Sequence, residues 1–215
     1  MNNPYHLLDS RKICESGVFQ LREDLVEGPG QKRFTFSVAE VKGGSSTLPI
    51  TGDGCVYLIR EYKYAIARTS IEVASGAMEE GESPLATAQR ELHEELGLVA
   101  RRWIDLGTID PFTTQLISPS HQFLAFELEE VRKDPDEAEV IERLKIKLEE
   151  AVRMVMANEI THALSCTLIL KAQLWLEQQG KQVVSRSQGA AGLPSDPNHL
   201  FRSRSHPLRS NPSRL

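Results

Sequence analysis

An α+β or sandwich domain is the fold class this sequence predicts, with strands first, one helix in the middle and two helices at the end. Short apolar or alternating runs fill most of residues 12–128 and read as strands. A capped, periodic segment at 84–96 interrupts them as a helix, and long helix-forming stretches return only after residue 148. No internal repeat is visible.

Taken in order, residues 12–25 and 33–41 alternate as strands, separated by the turn signal Gly28-Pro29-Gly30. Cys55-Val56-Tyr57-Leu58-Ile59-Arg60 is a short apolar run of the kind that makes a central strand. Ser70-Ile71-Glu72-Val73-Ala74 should be another. Residues 103–110 and 122–128 read as strands joined by a Pro-containing loop, and residues 143–148 as one more. Helices follow over residues 149–157 and 165–179.

The helix at 84–96 has the clearest local chemistry. Ser83 offers a hydroxyl cap, and Pro84 takes the first helical position, where its missing N–H costs nothing. No Gly or Pro interrupts the segment, and Gly97 supplies a left-handed end. At 3.6 residues per turn, Leu85, Ala88, Leu92 and Leu96 share a stripe that should face the core. Glu91, Glu94 and Glu95 form an adjacent stripe. Three crowded carboxylates repel one another unless a hard divalent cation sits among them, and Mg²⁺ takes oxygen ligands. A merely solvated acidic face is the simpler alternative. Gly76 and Gly81, bracketing a tight loop, and Glu82 and Arg90, placed to lock that loop to the helix, favour the metal site.

At 215 residues and 24.1 kDa the chain suits one domain with an appendage, and 40% apolar residues suffice for a core. No run of eighteen apolar residues and no charged-then-apolar N-terminus occurs, so neither a membrane span nor a secretory signal is expected. Cys14, Cys55 and Cys166 are few and dispersed, which argues against disulfides or a zinc site and for a reducing cytoplasm with all three thiols buried. The net charge of −5 is uneven. Residues 181–215 carry Lys181, Arg186, Arg202, Arg204, Arg209 and Arg214 against Asp196 alone, so that segment is +5 and the remainder −10. With seven Ser, four Pro and few apolar residues, it reads as a disordered, solvated tail rather than a nucleic-acid or lipid-binding arm.

Residues 76–98 as a whole read G-x5-E-x7-R-E-U-x-E-E-x-G-U, with U aliphatic, and no position deviates. Seven identities and two apolar positions would coincide by chance at roughly 10⁻⁹ per starting position. The segment resembles the signature box of the Nudix hydrolases. That resemblance implies an α/β/α sandwich with a mixed β-sheet, and Mg²⁺ (or Mn²⁺) held at a loop–helix–loop. The implied reaction is hydrolysis of a nucleoside diphosphate linked to another moiety. By the same resemblance Glu91 and Glu95 are the principal metal ligands, Glu94 is a further or water-bridged ligand, and Ser75 contributes its carbonyl. Gly76, Glu82, Arg90 and Gly97 are then structural.

Further segments, residues 58–64, 71–76, 148–151 and 159–163, follow the order of the ADP-ribose pyrophosphatase branch, a likeness covering roughly residues 10–178. It implies three regions: an N-terminal antiparallel β segment (1–45) used for homodimerisation, a catalytic domain (46–180) and the basic tail (181–215). It also implies that a mobile acidic loop supplies the base. Alignment on Glu159-Ile160 points to Glu139 first and Glu137 next, with Glu94 as a third acid. Glu72 is implied as a substrate contact. Lys63, Tyr62 and Phe112 are candidate substrate-binding residues, the two aromatics because their faces stack on bases. The branch usually has Gln and Arg where this chain has Glu61 and Lys63, and its Ser-Pro-Gly loop is replaced by Asp110-Pro111-Phe112-Thr113-Thr114, with Ser118-Pro119 later. Lys lacks the planar fork of Arg.

The expected activity is Mg²⁺-dependent cleavage of a nucleoside diphosphate sugar, with ADP-ribose, yielding AMP and ribose 5-phosphate, as first substrate. GDP-mannose or another sugar nucleotide is the alternative. An isomerase of prenyl diphosphates would call for a catalytic Cys and a degraded box. A non-catalytic, regulatory nucleotide-binding module would lack a box Glu. Neither pattern is present. The expected partner is a small sugar nucleotide, with no membrane and no nucleic acid.

Overall fold

The structure, a computed structural model, describes residues 2–131 and 141–188, with side chains as far as residue 180. The chain divides into two units, Met1–Glu177 and Gln178–Leu215, and the site belongs to the first. The elements in chain order are β1 (His6–Ser16), β2 (Phe19–Glu27), β3 (Arg33–Val41), β4 (Gly44–Pro49), β5 (Cys55–Lys63), β6 (Arg68–Glu72) and β7 (Ala74–Ala77). Then come α1 (Pro84–Leu96), β8 (Leu98–Ile109), β9 (Leu116–Ile117), β10 (Ser120–Glu130), β11 (Glu142–Lys147), α2 (Leu148–Met156) and α3 (Ala163–Gln188).

Among the described residues the strands form three sheets, ordered β1-β2-β3-β9, β7-β4-β10-β8 and β11-β5-β6. The second is mixed: β10 runs parallel to β4 and antiparallel to β8. Alternation along β5 divides the core. Val56 and Leu58 join Leu48, Leu124, Leu168 and Ile169 in one apolar cluster that includes residues of α2 and α3. Tyr57 and Ile59 join Leu92, Leu96, Leu98 and Ala125 in another, beneath α1. Helices therefore cover both faces of a sheet layer, the sandwich expected.

Four local expectations are corrected. Residues 12–25 are not one strand: β1 turns at Gly17 (φ +51) into β2, because the alternation continues through the turn and hides it. The strand expected at 70–74 is two. β6 pairs with β5, β7 pairs with β4, and the Val73 N–H between them leaves the ladders to donate to Ser165 Oγ (3.0 Å). The chain thereby crosses from one sheet to another beside Glu72. On α1, Leu85 is 37% exposed and Thr87 is buried in its place, since the Thr87 hydroxyl donates to Glu82 Oε2 (2.8 Å) at the helix entrance. The thiols differ too: Cys55 is buried, Cys14 on β1 is exposed and Cys166 is partly exposed.

β4 was not foreseen, although it lies between β7 and β10. Its polar stretch is buried yet satisfied. Ser45 Oγ donates to the Pro84 carbonyl (2.7 Å), Ser46 Oγ meets Ser120 Oγ (3.2 Å), and Thr47 Oγ1 donates to the Ala88 carbonyl (3.5 Å). These short side chains let the backbone of α1 lie close upon the strand.

Candidate active site

The β7–α1 connection is built around Arg90. Its Nε and Nη2 donate to Glu82 Oε1 and Oε2 (2.9 and 3.1 Å), and Nη2 also reaches the Ala77 carbonyl (3.0 Å). Glu82 in turn accepts the Glu79 N–H (3.0 Å), while Gly81 (φ +83) provides the turn. The Arg90 hydrogen bond, with those of Glu79 and Thr87, lowers the Glu82 pKa to about 2, and the same pair holds Arg90 above the usual guanidinium range. Ser83 Oγ accepts the Ala86 N–H (3.2 Å), and Gly97 (φ 62) closes the helix as a left-handed cap.

Arg90 Nη1 also draws in Glu91 Oε1 (2.6 Å) and Glu94 Oε2 (2.9 Å). The Glu91 side chain is 12% exposed and that of Glu94 53%, so the two have different surroundings. Burial pushes the Glu91 carboxyl above the ordinary range, with the hydrogen bond and charge of Arg90 opposing it. A Cβ on Gly76 would fall 1.8 Å from Glu91 Oε1, so only glycine admits the carboxylate against β7. Glu95 Oε2 accepts the Ser75 N–H (2.9 Å). This contact uses the Ser75 amide and leaves the Ser75 carbonyl, the atom implied by the family resemblance, out of that hydrogen bond.

The donors fit a hard divalent cation in kind: carboxylate oxygens on α1 face a backbone segment held open by glycine. Among the described residues, no group of three His, Cys, Asp or Glu side chains is gathered into a ready metal cage. Glu91 and Glu94 are turned toward Arg90, so coordination by Glu91 requires its carboxylate to share or leave that cation.

Beside these residues lies a cleft of about 210 Å³, lined among others by Lys42, Ser46, Glu72, Gly76, Ser118 and His162. Ser75 and Glu72 reach it because the chain changes sheets between them. Lys63 stands at the end of β5, paired with Glu61. Burial disfavours its charge, but the hydrogen bond to Glu61 and the charges of Glu72, Glu61 and Glu95 outweigh that and raise its pKa. Tyr62 (60% exposed) and Phe112 (52%) are outside the cleft lining. Glu137 and Glu139 lie outside the described residues, as does the basic tail beyond residue 188.

Several cleft residues were given no role from sequence: Lys42, the serines of β4, Ser118 and Ser120. None carries a local motif, since two separate segments, residues 42–46 and 118–120, bring them together beside Glu72 and His162. His162 lies in the segment 159–163, where the sequence assigns it no role. It proves to face Glu72, with Nδ1 3.2 Å from Glu72 Oε2.

The mixed-sheet sandwich thus sets an acidic helix, locked by Arg90, beside a polar cleft, and comparison with known proteins gives its class. The NUDIX domain model matches residues 44–164, more than half of the chain. An ADP-ribose pyrophosphatase of Bacillus subtilis (strain 168) is 30% identical over 168 residues, 76% of this chain and 89% of that protein. An ADP-ribose pyrophosphatase of Mycobacterium tuberculosis (strain ATCC 25618 / H37Rv) is 28% identical over 172 residues, 77% and 82% of the two chains. The crystal structure of an ADP compounds hydrolase shares the fold at a TM-score of 0.73 and 20% identity, covering 83% of this chain and 97% of its own. The chain belongs to the Nudix family. It is an enzyme, a hydrolase of pyrophosphate bonds.

Proposed function

We propose that the protein is a Mg²⁺-dependent nucleoside diphosphate sugar pyrophosphatase whose first substrate is ADP-ribose, cleaved by water to AMP and ribose 5-phosphate. The observation that carries this reading is the pair of carboxylates, Glu91 and Glu95, presented by α1 against Ser75 and Gly76 at the cleft. The likeness to two ADP-ribose pyrophosphatases supports the substrate.

Glu91 and Glu95 would hold Mg²⁺ (or Mn²⁺), with Glu94 and the Ser75 carbonyl as further donors. When bound, the cation supplies a Lewis acid that offsets phosphate charge and acidifies water. Arg90 orients Glu91, and Glu82 orients Arg90. Glu139, or else Glu137, takes the proton of the attacking water as general base. Glu72 and Lys63 contact the substrate, and Tyr62 and Phe112 close on it if the loops fold inward. Among the described residues no helix is long and apolar enough to cross a membrane. The free cysteines suit a cytoplasmic setting. The exposed side chains Leu7, Leu8, Phe34 and Phe36 of β1 and β3 suit a homodimer.

A panel of sugar nucleotides assayed with Mg²⁺ tests the substrate. ADP-ribose should turn over fastest, and an equal or higher kcat/KM on GDP-mannose would replace it with that alternative. Glu95→Gln should abolish turnover with the circular dichroism spectrum unchanged. Full activity in that variant would remove Glu95 from the metal site.

A further inference from the structure

His162 and Glu72 form a carboxylate–imidazole pair on the cleft wall, and His162 has no part in the chemistry proposed above. Glu72 lies at the end of β6 and is 7% exposed; His162 directly precedes α3, and both line the cleft. His162 Nδ1 is 3.2 Å from Glu72 Oε2 and 2.9 Å from Ser165 Oγ, and that hydroxyl already accepts the Val73 N–H at 3.0 Å. The pair is thus tied to the backbone at the point where the chain passes from β6 to β7.

Glu72 can only accept a hydrogen bond and the Ser165 hydroxyl can donate or accept, so a proton on Nδ1 is the tautomer compatible with both neighbours. Nε2 of the neutral ring is then an acceptor. Three features keep the ring neutral. Burial lowers its pKa against the pull of Glu72, the Lys63 charge acts in the same direction as burial, and the ring sits at the positive end of the α3 dipole. A neutral acceptor offers nothing to a phosphate oxygen, which also accepts. It suits a hydroxyl.

We infer that His162 is a specificity-determining residue, held by Glu72 so that its Nε2 accepts a hydrogen bond from a sugar hydroxyl of the nucleoside diphosphate sugar. The inference rests on the function proposed above and adds a residue to it. Glu72, proposed above to contact the substrate, also positions His162, and a substrate lacking that hydroxyl leaves Nε2 unpaired in a half-buried wall.

Two measurements decide it. Nitrogen-15 NMR of the imidazoles in the metal-free full chain should show His162 protonated at Nδ1, with Nε2 bare. A proton on Nε2 overturns the inference, whatever the activity. Steady-state kinetics then compare wild type, His162→Phe and His162→Gln on ADP-ribose and on analogues each lacking one hydroxyl. The Phe variant should raise KM about tenfold to a hundredfold with kcat nearly unchanged, a loss typical of one hydrogen bond to a substrate hydroxyl. One deoxy analogue should show that same loss on wild type and no further loss on His162→Phe. Gln, whose amide oxygen reaches a similar point, should recover part of it.

A role confined to capping α3 would lower the melting temperature of both variants equally and leave KM unmoved, which overturns the inference. A fall in kcat alone, making His162 a proton carrier, overturns it as well. Should wild type hydrolyse a nucleoside diphosphate sugar and the variants match it on every analogue, only the His162 contact fails. If wild type hydrolyses none, the functional proposal fails, and the contact with it.

Discussion

Gly76 and Glu91 share a space that admits one side chain. An alanine at 76 would put its Cβ 1.8 Å from Glu91 Oε1, and the carboxylate would have to swing away from β7. Gly76→Ala should therefore destabilise by about 1–3 kcal/mol, the usual cost of overpacking. It should also reduce kcat/KM about a hundredfold, as small displacements of reacting groups do. Urea titration and steady-state assay check the two parts separately. Glu82 offers a test in pH. Its folded pKa of about 2 lies below the ordinary 4.5, so the unfolded chain takes up the proton first as pH falls. The stabilisation from Glu82 is complete above 4.5 and is lost as pH falls toward 2. Glu82→Gln should melt earlier than wild type at pH 7, and the two melting curves should converge on acidification across that window.

α1 is the element whose sequence and structure agree most closely, and the reason is local. Ser83, Pro84 and Gly97 act within a few residues of themselves, so both ends follow from nearest neighbours. The Glu82–Arg90 lock was legible for the same reason. β4 was illegible because Ser45, Ser46 and Thr47 look like a loop, and only their distant partners in α1 and β10 make them a strand. Leu85 and Thr87 exchange places because the Glu82 carboxylate offers Thr87 a buried hydrogen bond that periodicity does not register. The cleft escaped for a similar reason: Lys42, Glu72, Ser118 and His162 come from four segments. The helix itself depends on packing. Leu92 is fully buried against Tyr57, Ile59 and Ala125. Leu92→Ala should cost about 2–5 kcal/mol in chemical denaturation, whereas Leu85→Ala, at an exposed position, should cost well under 1 kcal/mol.

Across the whole first unit, the N-terminal sheet keeps apolar side chains in solvent. Tyr5, Phe34 and Phe36 pack edge-on or tilted at ring-centroid distances of 5.5–6.5 Å and remain 36–41% exposed. If that face joins two copies, Phe34→Glu with Phe36→Glu should convert a dimer to a monomer in analytical ultracentrifugation while α1 helicity persists. A dimer that survives both charges would place the interface elsewhere. The parallel pairing of β4 with β10 has a consequence in time. Ser46 and Ser120, which meet at the cleft, are 74 residues apart in the chain. Joining them closes a long loop before any contact rewards it, a step that is slow compared with forming a single helix. During refolding α1 can therefore be complete, with its acids and arginine in place, well before the cleft exists. Regain of turnover reports the last long-range strand pairing, not the appearance of the acidic helix.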